Sequence, residues 1–304
     1  MLKNIKTATF VISSNTYPAV RNMRMQKKLF ANQLSENREF YWYRQGTEKQ
    51  LLGKEANLIG NDLFLNINDD TLSMGKKTIM AFDWALKNIE FDFLIRPTPS
   101  SYINYSNLEN YIKTNFLDND IVYGGKIQET NNKFGQKIQF ASGSTLVLSK
   151  KCIEIITENQ NDWDHDYWDD VGLAVLLNKV GIKPSGGDRF DVKGNPYKQV
   201  IDLQQYQYRC RSDNHYGYPR IIEAHVMSSV HSLFDKGKFG KIKRVIFSAF
   251  IEILKLFYIY QFGWKFFTLM RGVVKFLFPE ILYNYLKRFM NNKIESFKHK
   301  RFKT

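Results

Sequence analysis

Trp168-Asp169-Asp170-Val171-Gly172 is the stretch on which the reading of this chain turns, together with the Ser142-Gly143-Ser144 turn upstream of it. Two adjacent acids stand directly before Val171–Val180, an apolar stretch that predicts a helix. Such a start favours carboxylates, because its unpaired N–H groups carry partial positive charge. Working outward, Thr145–Leu148 predicts a strand and Cys152–Glu158 a helix, so one strand–helix unit separates the turn from the acids. Upstream, Thr7–Ser13, Phe40–Tyr43 and Phe91–Ile95 are short apolar runs rich in β-formers, and Ile121–Tyr123 leads into Gly124-Gly125. Between them lie a basic helical stretch holding Arg21, Arg24, Lys27 and Lys28, and the helix Met74–Leu86 behind Asp70 or Thr71. Val200–Arg209 reads as extended and Ile221–Phe234 as the last helix of the body. Strands alternating with helices predict an α/β domain with helices on both faces of its sheet.

At 304 residues the chain can hold one large domain, or one domain with an appendage. Its formal charge of +14 is unevenly spread: residues 241–304 carry 14 Lys/Arg against three acids, leaving only +3 for residues 1–240. Val245–Met290 is dense in Phe, Leu, Ile and Tyr, but Glu252, Lys255, Lys265, Arg271 and Lys275 interrupt it. A spanning helix needs about twenty nearly uncharged residues, which this stretch lacks. Aromatic and aliphatic residues interleaved with Lys/Arg suit helices lying in a membrane interface, and an anionic surface is the expected partner. The alternatives are a helical subdomain packed on the body or an oligomer contact. The expected division is therefore 1–240 and 241–304. The tail is too apolar for a phosphate-binding arm, so no nucleic-acid partner is expected. Cys152 and Cys210 are too few for a disulfide framework and lack zinc-site spacing. Met1–Thr9 does not read as a signal peptide, so the expected location is cytoplasmic, peripheral on the inner face of a membrane.

Four segments, in order, resemble the β-1,3-galactosyltransferase and Fringe-like glycosyltransferases. Asp62–Leu65 with Lys77-Thr78 and Trp84 is similar to that family's strand, Lys-Thr helix start and following Trp. Phe93-Leu94-Ile95-Arg96 through Tyr102-Ile103-Asn104 resembles the strand and exit that flank its metal-binding acids. Tyr123-Gly124-Gly125, then Phe140 through Ser149 with its Ser142-Gly143-Ser144, resembles the tyrosine-glycine strand and serine-glycine turn. Trp168-Asp169-Asp170-Val171-Gly172, with Gly181-Ile182 beyond, resembles the acid-aspartate-valine helix and the glycine-isoleucine after it. The likeness covers residues 60–185, and more loosely 1–234.

The resemblance implies a GT-A fold, a mixed sheet with helices on both faces, here with a C-terminal helical appendage. It also implies inverting transfer of a sugar from a nucleotide-sugar donor to a glycan or lipid-linked acceptor. An acceptor hydroxyl is a poor nucleophile, so a carboxylate must take its proton. Asp170 matches the family's aspartate for that task and Asp169 is its neighbour, with Asp164 and Asp166 close by; helix capping is the plainer role for the pair. Where the family has three acids for a divalent cation such as manganese, this chain has Thr98-Pro99-Ser100. Neutral hydroxyls bind such a cation weakly, so no metal is expected, unless Asp188 or Asp191 supplies a carboxylate. Fixed cations would then meet the diphosphate, with Arg96, Lys126, Arg21, Arg24, Lys183 and Arg189 as candidates. Thr98, Ser100, Ser142, Gly143 and His231 complete the expected donor-binding set, His225 being a second histidine on the same helix. The alternatives are a catalytically silent sugar- or nucleotide-binding protein of the same fold and a membrane-interaction protein.

Overall fold

A computed structural model describes residues 4–211, 220–234 and 248–253. In chain order the strands and helices are β1 (Thr7–Ile12), α1 (Ala19–Ala31), β2 (Arg38–Gln45), α2 (Glu48–Leu51), β3 (Ala56–Ile59), β4 (Asp62–Leu65), α3 (Met74–Asn88), β5 (Phe93–Pro97), β6 (Ser101–Ile103) and α4 (Tyr105–Asn115). They continue with β7 (Tyr123–Gly124), β8 (Ile127–Asn131), β9 (Lys137–Ala141), β10 (Thr145–Ser149), α5 (Lys150–Glu158), α6 (Asp169–Lys179), β11 (Phe190–Asp191), β12 (Gln207–Arg209) and α7 (Glu223–Phe234).

The expected mixed α/β architecture is present. Seven strands run in the order β3-β4-β2-β1-β5-β10-β7. β4, β2, β1 and β5 are parallel, whereas β3 and β10 run antiparallel to their neighbours. The period-two alternation of a strand explains how both faces are covered. On one face Ala8, Phe10, Tyr41, Tyr43 and Leu94 join Ile79, Phe82 and Ala85 of α3 and Leu173 and Leu177 of α6 in a single buried cluster. On the other, Phe40 and Trp42 stack on Phe30 of α1, and Thr9 shares a 2.8 Å hydrogen bond with Tyr105 at the start of α4.

Several local elements differ from expectation. Of Val200–Arg209 only Gln207–Arg209 forms a strand, which pairs with β6 and β11 in a small second sheet. The β8–β9 hairpin and α4 are additional. Hairpin residues are largely exposed and polar, so they lack the apolar alternation that marks a strand.

The chain divides into two units, Met1–Ile251 and Glu252–Thr304. The first runs past residue 240 because Asn195 donates to the carbonyl and hydroxyl of Ser248, at 3.3 and 3.0 Å, and His225 meets the Phe250 ring edge-on. The expected amphipathic tail lies, but for 248–253, outside the described residues. Among the described residues no helix is long and apolar enough to cross a membrane.

Candidate active site

A cavity of about 760 Å³ opens beyond the carboxyl ends of β1 and β5, with Ser13, Thr98, Gly143, Asp169 and Asp170 on its wall. Chain order switches sides at β1, which lies between β2 and β5, and open α/β sheets bind ligands at such switch points.

Strand parity delivers the charged group at its base. Arg96 follows Leu94 by two residues on β5 and faces Leu146 across the ladder, so it emerges on the α6 side of the sheet. It is 2% exposed, and three of its N–H groups are committed. Nε donates to the Tyr43 hydroxyl at 3.1 Å, Nη1 to the Gly143 carbonyl at 2.9 Å, and Nη2 to Asp169. Arg96 thus brackets the acids and also lines the cavity, with three of a guanidinium's five N–H groups engaged.

Asp169 and Asp170 occupy the first turn of α6, where the helix end favours them. Asp170 accepts from the Gly143 N–H at 2.8 Å and from the Val171 N–H at 3.0 Å. Burial raises its pKa above the ordinary aspartate range, the Asp169 charge raises it further, and the Gly143 hydrogen bond and Arg96 pull it partly back. A half-buried carboxylate held by backbone donors and shifted upward is suited to accept a proton.

Two glycines permit this approach. A Cβ on Gly143 would lie 2.9 Å from Arg96 Nη1 and 3.1 Å from Asp170 Oδ2, both atoms already pinned. One on Gly172 would meet Trp163 Nε1 at 2.7 Å and the Asp164 carbonyl at 2.9 Å, so α6 could not seat. Gly143→Ala is therefore expected to cost about 1–3 kcal/mol of stability and to spread Arg96 from Asp170. Thermal melting and donor turnover of that variant check this; unchanged values for both would refute the close fit.

The other expected residues divide. Thr98, Ser100 and Ser142 line the cavity with Gly143. Arg21, Arg24, Lys126 and His231 do not. Arg21 pairs with His225 on α7, and burial beside that arginine pushes the His225 pKa down to about 4. Arg24 and Lys126 are exposed elsewhere, as is Lys183. His231 shares a 3.0 Å hydrogen bond with Tyr102 and packs edge-on against its ring. Arg189 is buried within the fold, where Nη1 donates to the Ser142 and Ser144 hydroxyls and Nε and Nη2 hold Asp191. Asp164 and Asp166 are drawn to Lys133 on the β8–β9 hairpin and do not reach the cavity. The wall also holds groups not anticipated from sequence: Trp168, 64% exposed, and Arg209, Arg211 and Arg220.

The Thr98-Pro99-Ser100 tripeptide does not fit a divalent cation. Thr98 and Ser100 offer only hydroxyls, and Thr98 Oγ1 is within hydrogen-bond reach of Ser100 and Ser101. Asp69 is taken by Lys77 and by the N–H groups of Asn15 and Gln45. Among the described residues no three His, Cys, Asp or Glu side chains are grouped as a metal site.

No protein-family model matches the chain. A curated Mus musculus protein, UDP-GalNAc:beta-1,3-N-acetylgalactosaminyltransferase 2, is 22% identical over 148 residues, covering 45% of this chain and 29% of its own length. The chain thus spans less than a third of that relative. Among solved structures, a glycosyltransferase involved in glycosylation of the major capsid of PBCV-1 aligns with a TM-score of 0.45 at 12% identity, over 73% of this chain and 99% of its own. The galactosyltransferase LgtC, in complex with donor and acceptor sugar analogs, aligns with a TM-score of 0.46 at 11% identity, over 78% and 99%. These likenesses are too loose to carry a residue role to this chain.

Proposed function

We propose that this chain is an inverting glycosyltransferase of GT-A type in which Asp170 is the general base. One observation carries the reading: a carboxylate of raised pKa, fixed by the Gly143 and Val171 N–H groups, on the wall of a cavity at the sheet's switch point. The ordered motif likeness and the weak match to a curated galactosaminyltransferase support the same reaction class.

In this reaction the acceptor oxygen attacks the anomeric carbon opposite the diphosphate. Its proton passes to Asp170, the new glycosidic bond forms, and the old C–O bond breaks with its electron pair leaving on the diphosphate. Asp169 pairs with Arg96 and holds the neighbouring turn. A galactose-like donor sugar and a surface-polysaccharide or lipid-linked acceptor are the finer form of the proposal. Incubation with a panel of nucleotide-sugars, reading nucleoside diphosphate release and the anomeric configuration of the product, tests it. Retained configuration would overturn the inverting mechanism, and no release from any donor would favour a binding-only module.

The membrane association expected from the tail belongs to the proposal too. Full-length protein should sediment with anionic vesicles, and a chain ending at Ile251 should stay in solution. High salt should weaken the binding only in part, since screening removes the charge contribution and not the apolar one. Indifference of the full chain to anionic vesicles at low salt would leave the tail a packing or oligomer element.

A further inference from the structure

We propose that Arg209 and Arg211, assisted by Arg220, hold the donor's diphosphate in the position that a divalent cation would otherwise fill; this rests on the glycosyltransfer reading above. The argument begins at Thr98-Pro99-Ser100, the tripeptide standing where related sequences have their metal-binding acids. Strand β12 runs antiparallel beside it: Arg209 pairs with Ser101, and the Cys210 N–H donates to the Ser100 carbonyl at 2.8 Å. Cys210 is 1% exposed and points inward, so in an extended segment its two neighbours turn the other way. Both neighbours, Arg209 and Arg211, line the cavity. A chain segment more than a hundred residues downstream therefore brings two guanidiniums to the place where the acids are missing.

The charges around them favour an anionic ligand. Asp191, the acid facing Arg209, stands 3.7 Å away and is gripped more closely by Arg189 at 3.0 Å. Arg220 reaches the wall while Nε is anchored at 2.8 Å on Glu223, a fully buried carboxylate that also accepts from Asn22. Apart from Asp170, the proposed base, the wall's acids are each held by a protein donor. Asp69 is paired with Lys77 and Asp169 with Arg96; Asp70 accepts from the Ser73 N–H, and Glu129 from Gln139 on the hairpin. Guanidinium forks match phosphate oxygens bidentately, and fixed cations stabilise the charge that grows on a departing diphosphate. Arginine forks can thus take over the charge-neutralising task of a bridging metal beside a tripeptide that has no carboxylate.

Calorimetric titration with UDP, GDP, dTDP and inorganic pyrophosphate, in excess EDTA and again with manganese, tests the assignment. At least one nucleoside diphosphate should bind in EDTA, with affinity falling as salt rises. Arg209→Gln and Arg211→Gln should each weaken it about tenfold, as loss of a charged hydrogen bond does. Arg211→Lys, which keeps the charge and loses the fork, should recover part of the loss. Because Arg211 is exposed, its variants test the idea even if those at Arg209 disturb the sheet. Binding that needs manganese and ignores both arginines would overturn this inference while leaving Asp170 and transfer standing. Failure of every nucleoside diphosphate to bind in either condition would remove the glycosyltransfer reading as well.

Discussion

Asp170→Asn is expected to lower transfer by about 10²-fold or more while donor affinity stays near native. Asparagine keeps the shape and can still accept from the Gly143 N–H, but it cannot take the acceptor's proton. Full activity in this variant, with Asp169→Asn inactive, would move the base to its neighbour; full activity in both would remove the carboxylate mechanism. The pH dependence carries a second signature. Asp170 must be ionised to act, and burial with the adjacent Asp169 charge raises its pKa, so the acid limb of kcat/KM should lie above the ordinary aspartate value of about 3.9. Stability follows the same shift with the opposite benefit. Between the ordinary and the raised pKa the folded state binds more protons than the unfolded one, so this contribution is present below the ordinary value and is lost as pH rises through the raised one. The native chain should therefore lose stability relative to D170N across that window, which urea melts at a series of pH values would show. A flat difference would mean that Asp170 titrates normally.

Much of the frame was legible because its signals are local. Thr7–Ser13, Phe40–Tyr43, Phe91–Ile95 and Thr145–Leu148 are apolar β-forming runs buried in the main sheet, and Met74–Leu86 shows its helical spacing plainly. Helix α4 carried a readable signal in Tyr105, Leu108 and Ile112, spaced three and four apart behind the capping Asn104, which accepts from the Asn107 N–H. The Asp169-Asp170 pair and the Ser142-Gly143-Ser144 turn were legible as motifs. Their union was not, because it depends on which face of β5 delivers Arg96 and on the fit of Gly143 under the guanidinium. The cations were the hardest part. A basic residue looks alike in sequence whether it caps a carboxylate, as Arg189 does, or faces a cavity, as Arg209 does. Only the β6–β12 pairing, which joins segments about a hundred positions apart, separates the two cases.

Replacing Arg96 should have the largest structural effect of any single change at the site. Arg96→Met removes a buried cation and leaves the Asp169 carboxylate, whose side chain is 12% exposed, without its partner. It also strips a donor from the Tyr43 hydroxyl and the Gly143 carbonyl. Breaking a buried ion pair from one side costs about 3–5 kcal/mol, because the surviving charge remains desolvated. In a domain of this size that is roughly 10 °C in Tm. Arg96→Lys should recover only part of the loss, since one ammonium cannot reproduce a fork aimed at three acceptors. The double variant R96M/D169N separates pairing from packing: with both charges gone, most of the cost of the first substitution should disappear. Strictly additive losses would show that the guanidinium stabilises the core through contacts other than Asp169. Activity should respond through the base as well. Arg96 lowers the pKa of Asp170, so its removal should move the acid limb of kcat/KM to higher pH, a shift that a purely structural loss would not produce.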